Sequence, residues 1–460
     1  MKKLPLLVAL AFSPPLYAAT NLLQMYKEAL TQDATFQAAR SAQIAGQEKL
    51  PQGRALFMPS VNLSANTTYN DVNSRYRGAS IFPSGTQKYN ANGYTVTLNQ
   101  PLYHAQNYAQ YAQAKSGVEQ VDAQFAAAQQ DLIVRVAQAY FDVLLAQYSV
   151  TLAQAQKESI SEQLAQAKRN FEVGTSTITD THDAQARFDL TSAQEIAAQN
   201  DLEIKQNALE QIIGHPPGEL VTVKGEVPLN APEPASMNAW VEKALAQNPE
   251  VQIAQAAFEI ASAEVRNARG GHLPTLDLVA TYGDNSASGG NFGGFDQTSK
   301  TIGVQLNLPL FQGGAISSKV RQAVANQEKA QQELDVVRRK VAQQARQAYL
   351  GVTSGIAQVK ALQQAVISNQ SSLDSTQLGL EVGVRTSVDL LNARQQLFSA
   401  RRDLAQALYG YIMAQLQLGA AAGTLNEADV NKVNAWLDQT AKPDRLGYSR
   451  PILAPLTKRQ

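Results

Sequence analysis

The residues that most often carry catalysis or bind metals are few and scattered in this sequence. Its four histidines, at positions 104, 182, 215 and 272, form no pair at a spacing typical of metal ligands. The chain has no cysteine, which excludes thiol nucleophiles, thiolate metal sites and disulfides. The sequence also lacks a nucleophile elbow, a phosphate-binding glycine loop and a dinucleotide-binding fingerprint. We therefore expect no enzyme, no metal ion and no cofactor.

Charged and polar residues with a definite arrangement occur instead beside two Val-Gly pairs. The first pair precedes Thr179 and Asp180, and the second precedes Arg385, Asp389 and Asn392; the pairs themselves are Val173-Gly174 and Val382-Gly383. Glycine permits the backbone to reverse, so each pair indicates a tight turn between two helices. The residue types alone allow a solvated ion pair worth at most about 1 kcal/mol, or ordinary charges on a helix surface.

Composition limits the class of protein. The 39 basic residues equal the 39 acidic ones, and a nucleic-acid-binding protein would need a basic surface. Residues 1–19 read as a secretory signal, with Lys2 and Lys3, an apolar run and a small-residue cleavage region at Ala18-Ala19. Beyond it there is no apolar run long enough for a transmembrane helix. We expect an exported protein that could cross a membrane only with β-strands.

The chain contains an internal duplication. Five matches keep their order along the chain, namely 29–33 with 244–248, 59–63 with 274–278, 96–103 with 304–311, 139–140 with 348–349, and 171–174 with 380–383. The sequence therefore predicts a first structural repeat at 20–214, a connector at 215–236 and a second repeat at 237–423. Residues 424–460 form a C-terminal segment and tail.

Each repeat has the same predicted order of elements. An opening helix (about 22–53 and 237–270) leads to a strand pair, a long helix and a last helix. No proline interrupts 102–215 or 310–442, which favours helices of roughly 100 Å at about 1.5 Å per residue. Apolar residues recur at spacings of four and three, as in Leu132, Val136, Ala139 and Val143, and in Val341, Ala345, Ala348 and Val352. This spacing predicts coiled-coil packing, although a plain antiparallel bundle also satisfies it.

The predicted strands, at about 60–69, 92–101, 275–283 and 299–309, alternate apolar and polar residues. Val61 and Leu63 alternate with Asn62 and Ser64, for example. A soluble amphipathic sheet or tilted membrane strands would both give this pattern. Four strands are too few to close a membrane barrel; two chains would supply eight strands, and three would supply twelve and could leave a pore. We expect a mainly α protein with a membrane β-barrel shared between chains.

Three motifs then resemble the TolC family of outer-membrane efflux proteins: Gly-His-Leu-Pro-Thr-Leu-Asp-Leu at 271–278, Leu-Pro-Leu-Phe-Gln-Gly-Gly at 308–314 and Gly-Thr-Leu-Asn-Glu at 423–427. The resemblance covers nearly all of 20–430. It implies a homotrimer with a twelve-stranded barrel in outer-membrane lipid, a long helical periplasmic tunnel, and an equatorial belt from the connector and C-terminal segment.

The same resemblance implies a function. A Gram-negative outer-membrane exit duct would serve tripartite efflux pumps or type I secretion, without catalysis and without nucleic acid. A periplasmic adaptor (membrane fusion) protein and an inner-membrane transporter of the RND, ABC or MFS type would recruit it. The alternative is an exported trimeric coiled-coil protein, structural or adhesive, without channel activity.

The resemblance also implies roles for the residues beside the Val-Gly pairs. Asp180 and Arg385, with Thr179, would hold the periplasmic entrance shut; Leu380 stands where the family has a gate tyrosine. Asp389 and Asn392 match the positions of two rings of aspartates at the narrowest point of the family's tunnel. Because asparagine is uncharged, the ring at position 392 would be neutral in this protein. The turns at Val173-Gly174 and Val382-Gly383 would dock the adaptor.

Overall fold

The computed structural model describes residues 20–78, 81, 84–223, 227–290 and 293–437, and the side chain of 387 is also outside the description. The signal predicted at 1–19 and the end of the tail, from 438 onward, lie outside the described residues. In the first repeat the elements are α1 (Leu22–Gln32), α2 (Ala34–Gln47), α3 (Lys49–Ala55), β1 (Ser60–Ser74), β2 (Gly85–His104), α4 (Ala105–Glu172) and α5 (Ile178–Ile213). In the second they are α6 (Met237–Gln247), α7 (Pro249–Gly270), β3 (Thr275–Ala287), β4 (Phe295–Asn307), α8 (Ala315–Glu381) and α9 (Ser387–Ala421), followed by α10 (Glu427–Asn434).

The expectation of a single opening helix in each repeat is wrong. The first repeat breaks at Asp33, where the backbone is extended and the carboxylate accepts the N–H of Phe36 to begin α2. The second breaks at Asn248, because the proline that follows disfavours helical backbone at the residue before it. The two breaks are equivalent in the duplication, and both side chains are buried.

The break at Asp33 is held by an ion pair. Arg135 of α4 donates to both carboxylate oxygens, at 2.9 and 3.2 Å, and also to Asp131 at 2.6 Å. Burial alone would raise the pKa of Asp33, but hydrogen bonds from Arg135 and from the N–H of Phe36 outweigh it and lower that pKa. Asn248 instead donates to the carbonyl of Ala421 at 2.9 Å, a neutral bond in the corresponding place.

The four strands form one antiparallel sheet in the order β1-β2-β3-β4, within a compact unit made of Ser41–Phe125 and Glu250–Arg338. The strands are 13 to 20 residues long, and β1, β2 and β3 extend beyond the expected ranges. β4 begins four residues before its expected range and ends two residues short of it. The register aligns one apolar row across all four strands, made of Val61, Leu98, Ala280 and Ile302. The adjacent row is polar and consists of Asn62, Thr97, Thr281 and Thr301. The sheet therefore has the two distinct faces that the alternation predicts.

The other compact unit contains, among the described residues, those up to Arg40, those within Ala126–Pro249 and those from Arg339 onward. Within it, six of the eight coiled-coil positions named above are buried, namely Leu132, Val136, Val143, Val341, Ala345 and Val352, whereas Ala139 and Ala348 are half-buried. Their burial is what a helix-packing seam requires. In the described residues no helix is both long and apolar enough to cross a membrane.

The described part of the connector, 215–223 and 227–236, is held by aromatic donors from the helices of this unit. The hydroxyls of Tyr140 and Tyr349 donate to the carbonyls of Val221 and Ala235, each at 2.6 Å. Further donors are Tyr411, to Pro228 and Asn230 at 3.2 and 3.1 Å, and Trp240, to Pro234 at 2.9 Å. These side chains thereby supply hydrogen bonds to connector carbonyls that are not paired in a sheet or a helix.

Candidate functional site at the helix tips

The two Val-Gly pairs lie in the turns that join α4 to α5 and α8 to α9, here called the tips. Gly174 has φ 76° and Gly383 has φ 78°, a left-handed conformation that strains any residue with a Cβ. The turns close with bonds from Thr175 to Asn170 (2.8 Å) and from Val384 to Gly379 (2.9 Å). Both tips have the geometry of a helix C-terminus that ends on glycine.

Each tip presents apolar side chains to solvent. Val173 is 72% exposed, Val382 65% and Val384 75%. Such exposure of valines at the end of a helical hairpin is unfavourable unless another surface covers them.

Beyond each tip, the next helix begins with a capping box. In α5, Asp180 accepts the N–H of Thr177 at 3.0 Å and donates its own N–H to the hydroxyl of Thr177 at 3.2 Å. In α9, Asp389 and Thr386 make the same two bonds at 2.9 and 3.2 Å. Each pair satisfies helix N–H groups that would otherwise be unpaired.

These bonds lower the pKa of both carboxyls. For Asp180 the main cause is the hydroxyl of Ser176, which donates at 2.7 Å, and the Thr177 N–H adds to it. For Asp389 the main cause is the N–H of Thr386, with a smaller contribution from the positive charge of Arg385. Both groups are therefore ionised near neutral pH.

The gate pair expected from the sequence is not joined within one chain. In the described residues no ion pair connects Asp180 with Arg385. The Arg385 N–H bonds to the carbonyl of Gly379 at 3.1 Å, and its aliphatic stem covers that glycine, where a Cβ would lie 2.7 Å from Cγ. Thr179 is exposed in the first turn of α5.

Asn392 has a partner that sequence reasoning missed. Arg187 of α5 donates to its side-chain oxygen at 3.3 Å, so the residue expected in a neutral ring lies beside a cation. A second missed contact joins Arg394 of α9 to the hydroxyl of Ser159 on α4. The capping boxes carry a sequence signal, Thr-x-x-Asp, whereas these cross-helix contacts carry none because residues far apart in sequence make them.

Comparison with known proteins identifies the family. The model of the family described as "Outer membrane efflux protein" matches residues 25–215 and 240–424, one segment for each repeat. Among similar proteins, the outer membrane protein TolC of Vibrio cholerae is 36% identical over 448 residues, covering 96% of this chain and 100% of that protein. The alkaline protease secretion protein AprF of Pseudomonas aeruginosa is 35% identical, covering 91% of this chain and 87% of that one.

A solved structure agrees with these matches. The CmeC outer membrane channel of Campylobacter jejuni superposes with a TM-score of 0.76 and 18% identity, covering 91% of this chain and 90% of that chain. The expected fold class, a mainly helical duplicated chain that contributes four strands, is thereby confirmed. The matches to the family model and to its sequence relatives confirm the outer-membrane location and the role as an exit duct. This chain belongs to the outer membrane efflux protein family.

Proposed function

We propose that three copies of this chain form the functional duct, pooling twelve strands into one barrel. The observation that carries this proposal is the sheet itself: β1 and β4 form its two edges, and apolar residues on both strands are exposed, including Val61 at 63% and Ile302 at 77%. A sheet with open edges leaves backbone N–H and C=O groups unpaired in lipid. Pairing β4 of one copy with β1 of the next satisfies those groups all the way around a closed barrel.

The duct serves efflux and type I secretion as the outer-membrane partner of a periplasmic adaptor protein and an inner-membrane transporter. Support for secretion comes from the relative named for alkaline protease secretion, and support for efflux from the family itself. The chain has no catalytic role in this scheme. The exposed Val173, Val382 and Val384 at the tips supply an apolar surface of the kind that a docking adaptor would cover.

The gate acts between neighbouring copies. Hydrogen bonds within the chain engage only the Oδ2 atom of Asp180, so its Oδ1 has no partner among the described residues. Arg385 is exposed in the tip that joins α8 to α9. A contact between the Asp180 of one copy and the Arg385 of the next would close the entrance without disturbing either capping box.

Planar lipid bilayers test the duct. Purified protein, shown to be trimeric by chemical crosslinking, should open discrete conductance steps when added to the bilayer. A trimer that inserts without conducting would favour the alternative, an exported coiled-coil structural or adhesive protein. Crosslinking in intact cells, followed by mass spectrometry of the captured chains, should identify the adaptor and the transporter.

A further inference from the structure

A cavity of about 390 Å³ lies in the helical unit, among α4, α5 and α9. Its lining includes Ser159 and Ile160 of α4, Asp183 and Arg187 of α5, and Leu391 and Arg394 of α9. Ile160 and Leu391 are buried, whereas the two arginines are half-buried. Two guanidinium groups thus line one cavity that has an apolar base.

Both guanidinium groups bind only neutral oxygens. Arg187 donates to the amide oxygen of Asn392 at 3.3 Å, and Arg394 donates to the hydroxyl of Ser159. In the described residues neither has a carboxylate within ion-pair distance, although Asp183 lines the same cavity. Arg135 of the same unit shows the contrast, because it binds two carboxylates.

The rest of the lining offers little competition for these cations. Thr191 is buried, and its hydroxyl already donates to the carbonyl of Arg187 at 2.8 Å. Asp183 is the one acidic residue in the described lining, so the two arginines leave the cavity with an excess of one positive charge. Reduced hydration strengthens the attraction of such a charge for an anion.

We propose that this cavity binds a small oxyanion, a phosphate or a carboxylate, through Arg187 and Arg394. The planar guanidinium fork matches the spacing of two oxygens in either group. The anion would replace the neutral bonds with charge-assisted ones and would connect α5 to α9 just above the tips. Its source is either free inorganic phosphate or the carboxylate group of a small organic acid.

Isothermal titration of the purified trimer tests the site. Sodium phosphate and sodium succinate serve as separate probes at pH 7.5, each against sodium chloride of equal ionic strength. Binding of phosphate alone supports the site with an inorganic ligand, and stronger binding of succinate supports it with an organic acid. If neither probe binds the trimer more tightly than chloride, the proposal is overturned.

Variants locate the binding. Arg187→Gln and Arg394→Gln should each weaken anion binding at least tenfold. Arg339→Gln, which changes an exposed arginine of α8 outside the cavity, should leave the binding unchanged. Arg187→Lys and Arg394→Lys keep the positive charge but lack the planar guanidinium group, so each should weaken anion binding by less than the Gln variant does. The Lys variants therefore still test the site if a Gln variant fails to assemble. Equal binding by all variants would place the anion elsewhere and overturn the assignment. The result does not depend on conductance, so it is separable from the duct test.

Discussion

Asp180 and Asp389 occupy the same structural position in the two repeats, each closing a capping box with a threonine three residues before it. The bonds differ by at most 0.1 Å between the two sites. Thus the carboxylate proposed for the gate and the one proposed for the entrance ring both also hold a helix start. Replacing either aspartate by alanine would remove the helix cap and the negative charge together. Replacement by asparagine removes only the charge, because the amide oxygen can still accept the threonine N–H.

The capping boxes predict a pH-dependent helix start at both tips. Each pKa lies below the ordinary 3.8, so each carboxylate stabilises its helix start at higher pH, and that contribution is lost as the pH falls through the lowered pKa. Hydrogen exchange at 177–183 and 386–392, corrected for the intrinsic rate, should therefore lose protection below about pH 4.

A control for this pH effect exists in the same chain. Helix α6 begins after Ser236, whose hydroxyl caps it, and it has no acidic residue in its first turn. Its protection should not change over that range. Equal protection at pH 3 and pH 6 in the two tip segments would refute the role of the carboxylates.

Removal of Asp389 should weaken cation block at the entrance. Three symmetry-related carboxylates in a narrow opening attract multivalent cations, and Asp389→Asn removes that charge while retaining the cap. In planar bilayers, the concentration of hexaamminecobalt(III) that halves the current, added from the periplasmic side, should be at least tenfold higher for Asp389→Asn than for the wild-type channel. Undiminished block, in Asp389→Ala as well as Asp389→Asn, would place the cation filter elsewhere.

The contact between Arg187 and Asn392 makes a separate prediction about the second ring. Asn392→Asp would place a carboxylate beside a guanidinium, because the wild-type amide oxygen already lies 3.3 Å from Nη1. The added charge should therefore increase cation block by less than about threefold, since the ion pair neutralises it.

The double variant Asn392→Asp with Arg187→Gln frees that carboxylate. Block should then strengthen by at least a further tenfold, which dose–response curves for the same blocker would show. If the single and double variants respond alike, Arg187 does not control the charge at this ring.

Arg385→Ser should raise single-channel conductance. The substitution removes the cation proposed to hold neighbouring copies together, whereas it leaves both capping boxes in place. We expect about a twofold or larger increase, because even a weak exposed pair acts three times around a trimer. Arg339→Ser, which removes an exposed arginine of α8 away from the tip, is the matched control. Conductance that rises equally in both variants would argue against a gate at Arg385.

Patterns local in sequence predicted the architecture well. Apolar and polar residues alternate in the strands because the sheet has one apolar and one polar face. Apolar residues recur at spacings of four and three in the long helices because those positions pack inside the helical unit, where Leu132 and Val341 are both fully buried. These signals depend only on which neighbours point the same way along one element. Four strands per chain therefore followed from the sequence.

Contacts between distant segments were not predictable in this way. The break at Asp33 depends on Arg135, about a hundred positions later, and the cavity depends on Arg187 and Arg394, brought together only by helix packing. Both capping boxes follow the local pattern Thr-x-x-Asp, whereas the expected roles in a gate and a ring concern the carboxylates without their threonine partners. Asp180 and Asp389 each cap a helix and also have a proposed functional role, and only the functional role was expected from the sequence.

The equivalent tyrosines Tyr140 and Tyr349 provide a test of how the connector is held. Both hydroxyls donate to connector carbonyls at 2.6 Å, but Tyr140 is fully buried, and that burial raises the pKa of its phenol, whereas Tyr349 is only half-buried. Tyr140→Phe leaves the carbonyl of buried Val221 without that bond, at a cost of about 1–3 kcal/mol in the free energy of unfolding. Tyr349→Phe should cost less than about 1 kcal/mol, because the exposed carbonyl of Ala235 can bond to water instead. Melting temperatures of the two variants in the same detergent should therefore fall unequally, with Tyr140→Phe the lower. Equal shifts would mean that burial does not set the contribution of these hydroxyls, and that the connector is held mainly by its other contacts.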